Sequence, residues 1–516
     1  MAGGKRTKTH AKSDGMTQVL PGSSKPGAGG RLKQGQTGSD YKTYQLVGLL
    51  LGPACFAAMM LAPAPSGLSA AGWATAALGV WMAIWWATEA VPLFATALLP
   101  LLFLPLLGIS NLNAAAAPFA NPVVFLLFGG FLIALAVERW NLHRRISFHI
   151  ILRVGSRPLN LVGGVMLATA AISMWISNTA TTVMMLPIAT SLIAVVLPSD
   201  KDHGQEGANF AAAMMLGVAY AATIGGMATL IGSPPNALTA SYLGQTFGIK
   251  VTFAEWMAIG VPISLILLAA AFFILTRVSL PFSSTFASTE QHVVADMLRD
   301  MGPVSVPEKR VATVFVAVVA AWILSPLIGH LIGIAMTDTG IAIAGVIALC
   351  AIPADWKSRT FLLDLATARR APFDILILFG GGLSFAEAME SSGLTLWIGH
   401  GLSFLHGMPV VVLIAGAALL VIFISELMSN TATAAAFLPI GGSLAVGADA
   451  SPLLIALAVG FAASSAFMLP VGTLPNALVF GTGHIPLPRM LHAGFYLNLA
   501  GAAIITIGLA LAEPFL

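Results

Sequence analysis

From residue 44 to residue 512 the sequence is a succession of apolar stretches separated by short polar joints. A chain written this way cannot leave its surface in water. A helix needs about 20 apolar residues to cross the hydrocarbon core of a bilayer. Stretches of that order lie near 44–62, 70–88, 91–108, 120–139, 255–281, 310–332, 337–352, 372–391 and 488–512. The longer runs 208–245 and 451–484 read as single spans broken near their centres by Gly and Pro. Two further stretches, 160–197 and 408–449, are too long for one crossing, and each has Ser-Asn-Thr at its centre. Each is either two spans or a re-entrant hairpin with the triplet at its tip. Charged residues make up 9% of the chain, against about 25% in soluble proteins. That excludes an ordinary soluble enzyme, a disordered protein and a nucleic-acid binder. The strict alternation of a membrane barrel is absent, so helices cross the bilayer. The expected fold is an all-α polytopic membrane protein of about eleven transmembrane helices plus two re-entrant helical hairpins.

The basic residues test this count. With the amino terminus inside and both polar-centred stretches as hairpins, the inside segments are the tail, 139–157, 198–207, 277–310, 353–371 and 484–489. They hold every one of the 24 Lys and Arg except Lys250, as the positive-inside rule requires. The carboxyl terminus is then outside. Residues 1–40 are rich in Gly, Ser, Thr and Lys and are expected to be a disordered, solvated cytoplasmic tail that is not cleaved. Cys55 and Cys350 both lie in apolar stretches and are expected to be small core residues.

The two halves repeat. Ser177-Asn178-Thr179-Ala-Thr recurs as Ser429-Asn430-Thr431-Ala-Thr, and Pro187-Ile recurs as Pro439-Ile at the same spacing. Leu127-Phe128-Gly129-Gly130 recurs as Leu378-Phe379-Gly380-Gly381, and Gly232-Ser233-Pro234-Pro235-Asn236 as Gly472-Thr473-Leu474-Pro475-Asn476. An odd number of spans separates the triplets, so corresponding elements face opposite sides of the membrane. Inverted repeats of this kind are a mark of alternating-access transporters.

Broken backbone at membrane depth is tolerated only where it is buried in protein or lines a cavity. Freed carbonyls there can ligate Na⁺, and helix amino termini can face carboxylate oxygens. Ser, Asn and Thr supply neutral oxygens for a hard cation and donors for an anion. A lone Ser-Asn-Thr would read as packing glue between helices; its duplication at matched spacing reads as a site. A duplicated site suits a substrate with two carboxylates. No Lys or Arg falls in the triplets or the broken loops, so bound Na⁺ and helix dipoles must offset the anion's charge.

At these residues the sequence resembles the divalent-anion:sodium symporter family, and among its members the bacterial sodium/dicarboxylate symporters. The resemblance runs from about Lys42 to the end and includes Trp85-Trp86-Ala-Thr-Glu89-Ala-Val-Pro92 and Gly481-Thr-Gly-His484. It implies a homodimer in the bacterial cytoplasmic membrane whose transport domain moves as an elevator against a fixed scaffold. It implies one Na⁺ at Ser173, Ser177, Asn178 and Gly232, and a second at Ser425, Met428, Asn430 and Gly472. Substrate carboxylates would meet Ser177, Asn178, Thr179, Ser429, Asn430 and Thr431, with Ser233 and Thr473 nearby. The family's second loop usually has Pro where this chain has Leu474, a departure that bears on substrate size and affinity.

The expected organisation is a tail (1–40), scaffold helices with an amphipathic arm (41–157), the first transport half (158–282), a cytoplasmic linker (283–309), a second scaffold set with its arm (310–407) and the second transport half (408–516). Glu89, Glu138, Asp374 and Glu387 suit span-end capping or pairing, and Glu426 suits a support role. The expected function is Na⁺-coupled uptake of a C4-dicarboxylate such as succinate, fumarate or malate, with no organic cofactor. Exchange of dicarboxylates, and Na⁺-coupled transport of citrate or sulfate, remain alternatives, as does an anion channel. Enzymatic motifs are absent.

Overall fold

Helices fill the apolar stretches, and they end where the sequence changes character. The structure is a computed structural model that describes residues 42–155, 157–197, 204–282, 292–332 and 336–515. The basic tail and the Glu290 region of the linker lie outside the described residues. Helices α1 (Thr43–Leu61) and α2 (Ala70–Thr88) match the first two expected spans. Ser69 caps α2 by accepting from the Gly72 N–H, and Glu89 ends it at φ 47°. The stretch 91–108 departs from expectation. Instead of one helix it forms α3 (Leu93–Thr96) and α4 (Leu99–Leu106), because Pro92, Pro100 and Pro105 cannot all be accommodated in one continuous ladder. A short α5 (Leu112–Ala116) leads to α6 (Pro122–Arg139), which starts on Asn121 as cap and Pro122 at its first position.

The arm α7 (Leu142–Val154) precedes the first hairpin, α8 (Pro158–Ser173) and α9 (Asn178–Val196). The broken span follows as α10 (Gly204–Gly226) and α11 (Pro234–Thr246), then α12 (Phe253–Phe273). A linker helix α13 (His292–Asp300) leads to α14 (Val306–Ile332) and α15 (Asp338–Ala351). A small antiparallel pair, β1 (Pro353–Asp355) with β2 (Thr360–Phe361), is an addition to the expected all-helical fold. After α16 (Leu365–Ala368), the second set runs α17 (Phe373–Ser391), α18 (Leu394–Gly401), α19 (Val410–Ser425), α20 (Asn430–Ala448), α21 (Pro452–Ala463), α22 (Leu474–Phe480) and α23 (Leu487–Ala512).

The repeat is therefore structural. Seven successive helices, α6 to α12, recur in order as α17 to α23. Among the described residues eight helices are long and apolar enough to cross a bilayer. Two of them are α9 and α20, the second limbs of the hairpins, while α8, α19 and α21 are shorter. The halves interlock: α9 packs on α22, and α11 packs on α20 and α21. The arm α7 is pinned by Arg145, whose guanidinium bonds both oxygens of Glu308 at 2.9 and 3.4 Å and the Gly302 carbonyl at 3.1 Å.

Candidate functional site

The first tip is built where α8 stops and α9 starts. Ser177 is the N-cap of α9, its hydroxyl accepting from the Ala180 N–H at 3.3 Å. Asn178 and Thr179 thus occupy the first turn, where backbone N–H groups lack helical partners and the helix end carries partial positive charge. The Ser173 hydroxyl donates to Asn178 Oδ1 at 2.8 Å, which orients the amide. The break between α10 and α11 lies against this tip. The Thr229 hydroxyl donates to the Met174 carbonyl at 2.5 Å. Asn236 Nδ2 donates to the carbonyls of Gly226 at 2.9 Å and Thr229 at 2.7 Å, holding the unwound segment open.

Two glycines make this approach feasible. A Cβ on Gly226 would overlap Asn178 Oδ1, and a Cβ on Gly232 would lie 2.6 Å from the Gly226 carbonyl oxygen and 2.8 Å from that of Met174. With no side chains there, Asn178 Oδ1 and several carbonyl oxygens converge beside Gly226 and Gly232.

The second tip repeats the design. Ser429 caps α20, accepting from the Ala432 N–H at 3.4 Å. The Ser425 hydroxyl lies within bonding distance of Asn430 Oδ1, at 3.1 Å, and of the Ala463 carbonyl, at 2.7 Å. Asn476 Nδ2 donates to the Ala466 and Leu469 carbonyls at 3.2 and 3.1 Å, the counterparts of the Gly226 and Thr229 bonds made by Asn236. Thr473 caps α22 through the Asn476 N–H. The loops meet across the halves, with Ser233 Oγ 3.4 Å from Ser464 Oγ.

The sequence-derived residues thus fall into two clusters: Ser173, Ser177, Asn178, Thr179 with Gly232, and Ser425, Ser429, Asn430, Thr431 with Gly472. Asn178, Thr179, Asn430 and Thr431 are partly exposed, whereas Ser173 and Ser425 are buried behind them. Met428 is buried at the second tip, and Leu474 is exposed at the start of α22. The donor set fits a hard cation. Among the described residues Asn236 Oδ1 and Asn476 Oδ1, one in each half, are buried without a hydrogen-bond partner, and unpaired buried oxygens are costly unless something satisfies them.

Several residues of the site escaped the sequence reading. Asn236 and Asn476 stood in the repeated blocks without an assigned part; their repetition was the available signal. Thr229 and Asn498 gave no signal, because their partners are remote in sequence. Glu426, expected only as a support, accepts four hydrogen bonds beside the second loop.

Several known proteins are similar to this chain. A family model described as the sodium:sulfate symporter transmembrane region matches residues 43–513. The sodium-dependent dicarboxylate transporter SdcS of Staphylococcus saprophyticus is 37% identical over 474 residues, covering 90% of this chain and 91% of that protein. SdcS of Staphylococcus aureus strain MRSA252 is 37% identical over 472 residues, covering 90% and 91%. Among solved structures, the YdaH transporter of Alcanivorax borkumensis is similar at a TM-score of 0.52 and 16% identity, covering 92% of this chain and 97% of that one. That likeness concerns the fold.

Proposed function

This chain belongs to the divalent-anion:sodium symporter family, and from that membership we propose that it couples Na⁺ entry to uptake of a C4-dicarboxylate such as succinate, fumarate or malate. The observation that carries the reading is the paired tip. Each half presents an Asn-Thr pair at the amino end of a 19-residue helix, backed by a buried serine and by the carbonyls of a broken span. Two such half-sites suit two carboxylates, each beside one cation. One Na⁺ is assigned to Ser173, Ser177, Asn178 and Gly232, and a second to Ser425, Met428, Asn430 and Gly472. The dicarboxylate is assigned to Ser177, Asn178, Thr179, Ser429, Asn430 and Thr431, with Ser233 and Thr473 beside them.

Within the same reading the chain is a homodimer in a bacterial cytoplasmic membrane, amino terminus inside, with 41–157 and 310–407 as scaffold and 158–282 and 408–516 as the moving unit. Small residues support a sliding boundary between them. A Cβ on Gly130 of α6 would lie 2.9 Å from the Ile231 side chain, and one on Gly382 of α17 would lie 3.3 Å from the Ala435 methyl. Among the described residues polar ties across the boundary are few, and one is the Phe253 N–H to Asp338 Oδ2 at 2.7 Å.

Uptake of labelled succinate by proteoliposomes, under an inward Na⁺ gradient or with K⁺ in its place, tests the proposal. Na⁺-dependent, saturable uptake is expected. Equal uptake with either cation refutes coupling, and flux that does not saturate points to a channel. Competition by sulfate or citrate stronger than by fumarate would reassign the substrate.

A further inference from the structure

Among the described residues one buried charge has no partner of opposite sign. Glu426 is 2% exposed and directly follows Ser425 at the second tip. The N–H groups of Phe467 and Met468 donate to its Oε1 at 2.7 and 2.8 Å, and that of Leu469 donates to Oε2 at 2.8 Å. Asn498 Nδ2, from α23, donates to Oε1 at 2.8 Å. Among the described residues the carboxylate is thus met by neutral donors alone. A buried carboxylate held this way keeps a negative field that a nearby cation would relieve.

That field is aimed at the second loop. Oε1 takes three of the four bonds, so Oε2 retains acceptor capacity. Oε2 lies 3.0 Å from where a Cβ on Gly472 would sit, and the Glu426 carbonyl oxygen lies 3.4 Å from the same point. Two further buried oxygens in this region, Asn476 Oδ1 and Asn498 Oδ1, have no hydrogen-bond partner among the described residues. A brace for the loop would account for the four bonds. It would not account for an under-used carboxylate oxygen beside Gly472 and two orphaned amide oxygens. The first half differs. Met174 stands at the position matching Glu426, and there the tip is tied to its loop by the Thr229 hydroxyl on a neutral carbonyl.

We propose that Glu426 is a positioning residue that makes the two cation sites unequal: its fixed carboxylate shapes the 467–469 turn and lets the second site hold Na⁺ more tightly than the first. The inference rests on the reading of the two tips as Na⁺ sites. It goes beyond that reading in giving the sites an order, the second filling at lower Na⁺ than the first.

The test compares wild type with Glu426→Gln, which keeps the shape and removes the charge. Two readouts are needed in purified protein and proteoliposomes: the Na⁺ dependence of thermal stabilisation in a K⁺ background without substrate, and the Na⁺ dependence of succinate uptake. In wild type, stabilisation by Na⁺ should be biphasic. In Glu426→Gln the low-Na⁺ phase should move upward by tenfold or more. A purely structural brace would instead lower the melting point and uptake together and leave the Na⁺ midpoints in place, which overturns the proposal. If Glu426→Gln does not fold, Asn498→Ala serves: it removes one donor, and an Na⁺ midpoint unchanged within a factor of 1.5, against an expected rise of about threefold, also overturns it. Wild type that takes up succinate without Na⁺ would refute the functional reading itself. Normal Na⁺-driven uptake with an unaltered variant refutes only the part given to Glu426.

Discussion

Gly232 and Gly472 hold matching positions in the repeat, yet alanine should be far worse at the first. At Gly232 the new methyl would lie 2.6 Å from the Gly226 carbonyl oxygen and 2.8 Å from the Met174 carbonyl oxygen. An ordinary carbon–oxygen contact needs about 3.3 Å or more, so the shortfall is about 0.7 Å against one backbone atom and about 0.5 Å against the other. Neither can swing aside as a side chain would. Metal–ligand distances tolerate only about 0.2 Å, so a loop that relaxes to admit the methyl no longer presents its oxygens correctly. Overpacking of this kind costs about 1–3 kcal/mol, and at about 1.4 kcal/mol per tenfold the Na⁺ concentration for half-maximal uptake should rise roughly 5- to 150-fold. At Gly472 the nearest atom is Glu426 Oε2 at 3.0 Å, and the others lie at 3.4 Å. That shortfall is about 0.3 Å, less than half of the larger one at Gly232, and a rise of no more than about fivefold is expected. The assay is Na⁺-titrated succinate uptake in proteoliposomes, with Na⁺-induced thermal stabilisation as a check that does not require transport. A Gly232→Ala midpoint within twofold of wild type, or a larger shift for Gly472→Ala, would refute the close approach of tip and loop.

Other outcomes follow from the same geometry. Asn178→Ala and Asn430→Ala should each abolish Na⁺-driven uptake while the melting temperature moves by only a few degrees; retained transport in both would remove the tips from the site. Leu474→Pro should leave stability within about 0.5 kcal/mol, because the residue is exposed and opens a helix where proline is tolerated, and a succinate KM changed by threefold or more would show that this position reaches the substrate. Arg145→Met should destabilise by about 3–5 kcal/mol in thermal or denaturant melts, since it leaves the buried Glu308 carboxylate without its cation. Burial alone would raise the Glu308 pKa, but Arg145 and Ser305 outweigh it and hold it below the ordinary carboxylate value. The stabilisation is therefore present above the unfolded value of about 4.3 and is lost as pH falls through the lower folded value. Melting points flat from pH 6 to 8 and falling below about pH 4 are expected in wild type, with a shallower fall in Arg145→Met.

The run of helices and the paired hairpin tips were legible because each rests on local chemistry written twice. A polar triplet in an apolar run, followed by a Gly-Pro break, announces a tip and a loop wherever it stands, and repetition separates it from ordinary helix packing. The split of 91–108 was legible in principle, since three prolines in fourteen residues cannot serve one helix; apolar length alone hid it. Contacts between remote segments were not legible. Arg145 meets Glu308 across 163 positions, and Glu426 meets the Phe467–Leu469 turn across about 40. No periodicity or motif encodes such pairings, which exist only once the halves interlock. The small β1–β2 turn escaped for a different reason. Its fold depends on Asp355 accepting from the N–H groups of Lys357 and Ser358 and on Arg359 at φ 54°, features shared with any polar joint.

The scarcity of charge takes its meaning from where the few buried charges lie. Among the described residues the buried charged side chains are Arg145, Glu308 and Glu426. The first two neutralise each other away from the tips. The third adds a negative charge beside the second loop, which is the wrong sign for holding an anion. The amino ends of α9 and α20 each offer about half a positive charge, so together they offset about one of the three negative charges brought by a dianion and Glu426. About two positive charges are still wanting, and the polar oxygens gathered at each tip can hold them only as small cations. On this account Na⁺ is the counter-charge without which the dicarboxylate finds a site of repulsive sign. Coupling then follows from electrostatics: succinate binding to the purified protein should vanish when Na⁺ is replaced by K⁺. A substrate affinity in isothermal titration that is unchanged by the replacement would mean that some other positive charge, unseen among the described residues, stands at the site.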